Sequence, residues 1–196
     1  MNKEKLLLEI DQLYEACISN TKAFHLKIDI CIAPDYLVKK VFEMTDLDIS
    51  NHWITIDNFG IIHTLQQHSN PLTEAKRGQI AIEKNDFFDL IEVVLFPDLI
   101  KRLGKTNRTN LPLLQFEKTI QSKKIVVKEI RTITSSKKKK VSRLVFHTMY
   151  KFKKVYIFID DINDFICTNI EKNSNIQIIY NSHDFKSEKF IKIKNF

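Results

Sequence analysis

The chain has 196 residues, 43% hydrophobic and 28% charged, with 3 Gly and 4 Pro, a make-up that excludes low-complexity and collagen-like chains and suits one globular core. No apolar run approaches the ~20 residues that span a bilayer. Glu9 and Asp11 interrupt the N-terminal apolar stretch, so the expectation is a cytoplasmic protein without a secretory signal or membrane contact. The net charge of +7 is uneven: residues 101–154 carry 17 Lys/Arg against 2 Asp/Glu, whereas residues 1–100 carry 9 against 16.

Such a basic middle third is either a solvated lysine-rich surface or a face that holds phosphates, since clustered cations release counterions from nucleic acid. Cys17, Cys31 and Cys167 are far apart and lack a Cys-x-x-Cys spacing. Neither a disulfide framework nor a zinc site is expected from them.

In chain order, Leu6, Leu7, Ile10, Leu13, Tyr14, Cys17 and Ile18 recur with a helical period over residues 3–20. Leu26, Ile28, Ile30 and Ile32 then alternate as in a half-buried strand, and Pro34 opens a helix to about Met44. WITI, from Trp53, predicts a short strand, after which Asp57 or Asn58 caps a helix carrying His63 and His68. That helix ends before Pro71. The two histidines are five residues apart, hence roughly 140° apart around a straight helix. They share a cleft only if His68 sits in a distorted last turn; otherwise His68 caps the helix C-terminus. A polar loop with Glu74 and Arg77 follows, then a brief strand over residues 79–82 and a helix capped by Asn85, ending at Pro97.

Beyond Lys105 the pattern becomes one of strands: LPLLQFEKTI, KKIVVKEIRTIT and VSRLVFHTMYKFKKVYIFID, with SSKKKK as the turn between the last two. Strict alternation along residues 141–153 puts Arg143, Val145, His147, Met149 and Lys151 on one face, a wet cationic one. Leu144, Phe146, Thr148, Tyr150 and Phe152 fall on the other, the core side. The tail from Asn163 adds two or three more strands. The whole reads as an α+β fold, N-terminal helices followed by a twisted antiparallel sheet. Walker, HExxH, GxSxG and GxGxxG signatures are missing from the sequence.

The pieces IIHTLQQH (61–68), RGQI (77–80), NDFFDL (85–90), FPDLI (96–100) and HTMYKFK (147–153) stand in an order that resembles the phage- and toxin-associated nucleases of the barnase–EndoU–colicin–RelE type. The resemblance covers about residues 50–154. It divides the chain into a helix–strand lead-in (1–50), a nuclease domain (51–154) and a C-terminal β extension of the same sheet or a subdomain (155–196).

It implies a metal-independent endoribonuclease, with tRNA among its candidate substrates, acting through attack by the RNA's own 2′-hydroxyl without a cofactor. It also implies an immunity or antitoxin protein as a candidate partner. The alternative is a nucleic-acid-binding accessory protein on the same fold. The implied catalytic residues are His63, His68 and Thr148, with His63 the foremost acid/base. Arg77, Arg143, Tyr150 and Lys151 are the implied substrate-binding residues. A tension stays open, because alternation sets Thr148 and Tyr150 opposite Arg143 and Lys151. Either a bulge resets the strand or one set alone meets substrate.

Overall fold

Asn2 starts the first helix, α1 (Lys3–Ser19), its side chain accepting the Glu4 amide at 3.1 Å. Leu6, Ile10 and Leu13, a helical stripe, are buried beneath it. The structure, a computed structural model, describes residues 2–20, 22–105, 110–121, 123–135, 140–153, 155–159 and 176–180. Strand β1 (Lys27–Ile32) buries Ile28 and Ile30, and α2 (Asp35–Thr45) buries Leu37 and Val41. Strand β2 (Trp53–Asp57) runs straight into α3 (Asn58–His68), because Asp57 caps the helix by accepting the Gly60 amide at 2.9 Å.

The segment after α3 is more ordered than a polar loop. Asn70 caps a short helix, α4 (Pro71–Lys76), with bonds from the Leu72 and Thr73 amides, and Pro71 supplies a pre-set first turn. Residues 79–82 make one bridge, Ile80 to Lys151, and not a strand. Helix α5 (Asp86–Leu95) starts without a side-chain cap from Asn85; the Asp86 carboxylate takes the Glu83 amide instead. Four long strands follow: β3 (Leu99–Lys105), β4 (Pro112–Ile120), β5 (Lys123–Ser135) and β6 (Lys140–Lys153). Strand β3 is not expected from the sequence. Its Ile100 is buried and its later residues are exposed, so it carries little apolar alternation.

The main sheet has the order β1-β2-β6-β5-β4-β3. It is mixed and not wholly antiparallel: β2 runs parallel to β6 over Trp53–Arg143 to Thr55–Val145, and all its other pairs are antiparallel. Strands β7 (Val155–Ile159) and β8 (Ile176–Tyr180) pair with each other in parallel as a second sheet; the rest of the C-terminal segment, and the lysines at 137–139, lie outside the described residues.

Cross-strand partners share a face of the sheet. Leu114–Glu129–Phe146 and Phe116–Val127–Met149 stand on the core face, where Phe87 of α5 meets Phe146 edge-on. The front section contributes to the same core through Leu6, Ile10, Leu13, Leu37 and Val41. Each such fully buried side chain stabilises the fold by about 1.5–3 kcal/mol. Among the described residues no helix is long and apolar enough to cross a membrane.

Candidate active site

Pairing between β2 and β6 stops at Val145, and beyond it α3 takes the place of a neighbouring strand along the β6 edge. Gly60 makes this close approach feasible: a Cβ there would fall against the Phe146 carbonyl oxygen and 2.7 Å from its ring. Further along the helix, His63 stacks on His147 with ring centroids 4.9 Å apart and planes 21° from parallel. At the helix end, His68 lies 5.8 Å from the Tyr150 ring. The two histidines therefore meet one strand, β6, at two points along α3.

His68 is held by a carboxylate. Its Nδ1 lies 3.0 Å from Glu74 Oε2, and Glu74 is fully buried with its other oxygen taking Arg77 Nη1 at 2.7 Å. An ionised carboxylate only accepts, so Nδ1–H donates and Nε2 is left as the outward nitrogen. Ser69 is the C-cap residue of α3 and His68 stands in its last turn, and the His68 carbonyl takes the Ile82 amide at 2.7 Å. For His63, partial burial and then the neighbouring charge of His68 push the pKa below the usual 6.5. That shift favours the neutral ring a general base needs at neutral pH. Burial, and then Glu117, raise the pKa of Tyr150 above its ordinary value.

The other expected site residues divide sharply. Arg77 is 44% exposed and joins the His68–Glu74 group, with a second bond from Nη1 to the Gln67 carbonyl. Tyr150 donates to Gln115 Oε1 at 3.4 Å, and Gln115 donates in turn to Glu117, which also holds Lys101. Thr148 is buried at 6% exposure, and its hydroxyl has no hydrogen-bond partner among the described residues.

Arg143 and Lys151 stand elsewhere. Arg143 is engaged by Asp29 through two bonds of 3.1 and 3.2 Å. Burial alone would raise the Asp29 pKa, but bonds from Arg143 and Thr55 lower it overall. Lys151 is 1% exposed and bonds Asp86 at 2.6 Å. The wet cationic face drawn from strict alternation does not exist as such. The β5–β6 register jumps from Lys128–Thr148 to Glu129–Phe146, leaving His147 as an extra residue. The bulge turns Met149 and Lys151 to the core face and Thr148 and Tyr150 to the opposite one.

Sequence reasoning misses Glu74 and His147 as site residues. Glu74 has a sequence signal, the Asn-Pro-x-x-Glu helix start at Asn70 that puts it six residues after His68; His147 has none, because alternation hides a bulge. Among the described residues no group of three or more His, Cys, Asp or Glu is placed to hold a metal ion.

The helix-backed sheet thus gathers imidazoles, a tyrosine and an arginine along the β6 edge. The chain belongs to the phage-Barnase-EndoU-ColicinE5/D-RelE like nuclease3 family, which it matches over residues 32–158. No significant match was found among curated proteins or among solved structures.

Proposed function

We propose that the protein is an endoribonuclease that cleaves RNA by attack of the 2′-hydroxyl on the adjacent phosphate, without a metal or cofactor. His63, whose burial favours the neutral ring, takes the 2′-hydroxyl proton as that oxygen bonds to phosphorus. His68, oriented by the Glu74 carboxylate, returns a proton to the departing 5′-oxygen. The products are a 2′,3′-cyclic phosphate and a 5′-hydroxyl. Arg77 offers the charged fork suited to a phosphate oxygen. Tyr150 stacks on a base, or turns its hydroxyl from Gln115 to a phosphate oxygen, and Thr148 supplies a further donor.

The carrying observation is the buried Glu74 carboxylate that fixes His68 opposite Tyr150, an acid–base unit built in three parts. From the family's description we also carry over a phage or toxin setting, and we add, as our own extension, an immunity or antitoxin protein as candidate partner. Residues 51–154 are proposed as the nuclease unit and 155–196 as its extension. Incubation of a labelled RNA pool in EDTA, with end-group analysis, tests the proposal. Cyclic-phosphate ends in chelator are expected. Cleavage that depends on a divalent ion overturns the mechanism, and salt-sensitive binding without product leaves an accessory nucleic-acid binder in its place.

A further inference from the structure

The two permanent cations expected to serve the substrate from β6 are both committed to carboxylates, Arg143 to Asp29 and Lys151 to Asp86. Arg77 shares its Nη1 between Glu74 and the Gln67 carbonyl. Negative charge nevertheless builds on the non-bridging oxygens as the phosphorane forms, and pre-placed donors are what stabilise it. We propose that His147 is a further catalytic residue, donating a ring N–H to a non-bridging oxygen of the scissile phosphate. The assignment rests on the ribonuclease reading above.

Three observations on the strand carry it. The register jump makes His147 the extra residue of a bulge in a long, otherwise regular antiparallel pair. Bulges re-aim a side chain and are over-represented beside active sites. The His147 ring ends 4.9 Å from that of His63, nearly parallel to it. Rings stacked face to face do not hydrogen-bond each other, so the stack itself does not occupy the in-plane nitrogens of either ring. The scissile phosphate would lie at the rim of that stack, beside both rings. The ring is also only partly buried, whereas Lys151, four residues on, is sealed in the core.

The test compares His147→Phe, which keeps a flat ring but removes the donor, with His147→Gln, which keeps a donor. Single-turnover cleavage should fall about 10²-fold in the Phe variant, mainly in kcat, with an unchanged thermal midpoint. The Gln variant should retain several-fold more activity than the Phe variant. Inorganic phosphate titrated into the parent should move the His147 ring signals in NMR. If the parent cleaves RNA and His147→Phe cleaves equally well, the assignment is overturned while the ribonuclease reading stands. A parent that cleaves no RNA defeats that reading, and the phosphate site then stands or falls on the titration. Should the Phe variant fail to fold, the Gln variant and the titration decide: parental rates together with an unmoved His147 signal overturn it.

Discussion

Glu74 is the residue on which the proposed chemistry turns, because it is fully buried and divides its two oxygens between His68 and Arg77. His63→Ala and His68→Ala should each lower single-turnover cleavage by about 10²–10⁴-fold. The orienting carboxylate gives His68 at least the weight that His63 carries from sequence alone. Glu74→Gln should lower cleavage too, since the amide removes the carboxylate that orients the His68 ring and holds Arg77. If it cleaves like the parent, Glu74 is structural only. Glu129 offers a stability test at the same scale. It is fully buried on the core face, and burial, then Asp57, pushes its pKa well above the usual 4.5. Above pH 4.5 the unfolded chain releases this proton while the folded chain keeps it, so the group makes stability fall as pH rises. Denaturant unfolding from pH 5 to 8 should show that decline in the parent and a flatter curve in Glu129→Gln. Equal slopes would show that the carboxyl is not held protonated.

Among the elements, the segment after α4 is a staple. Ile80 donates to the Lys151 carbonyl, Ile82 to the His68 carbonyl, and Asp86 receives both the Glu83 amide and the Lys151 ammonium. It thereby fixes the end of α3 against β6, where His68 and Tyr150 meet. Breaking a buried pair leaves an uncompensated charge and typically costs about 3–5 kcal/mol, whereas replacing both members by apolar groups is often neutral. Lys151→Met should therefore destabilise strongly, and Lys151→Met with Asp86→Leu should recover most of that stability in urea unfolding. If the double variant is as unstable as the single, the ion pair is not the source. This staple also marks the limit of what the sequence discloses. The apolar periods of α1, β1, α2, α3 and the β4–β6 strands are local, and they are legible. The bulge at His147, the core placement of Lys151 and the β2–β6 parallel pair depend on register between distant strands, which no local pattern encodes. Asp29 and Arg143 are 114 residues apart in the chain, so their pairing could not be read from spacing.

For the molecule as a whole, the basic middle third sets a sharper expectation now that some of its cations have partners. Lys101 is bonded to Glu117, Lys118 lies within ion-pair distance of Glu92 and Asp98, and Arg143 and Lys151 are held by Asp29 and Asp86. These four contribute little free charge, so any phosphate-binding excess has to come from the remaining 13 of the 17 Lys/Arg in residues 101–154. The run at residues 137–140 is the densest of them. Each phosphate neutralised on a single strand steepens the dependence of log affinity on log salt by about 0.7. Three neutralised phosphates would give a slope of about −2, and affinity for single-stranded RNA should then fall roughly twenty-fold between about 50 and 200 mM salt. Replacing the four lysines at 137–140 by glutamine should reduce that slope by about 0.7 for each phosphate no longer neutralised. It should leave single-turnover cleavage at saturating enzyme close to parental, because the proposed acid–base unit lies on α3, α4 and the other end of β6. Filter binding across a salt series measures the slope. A slope near zero in the parent would mean that the charge is only a solvated surface, and substrate would then have to be held by the site residues alone.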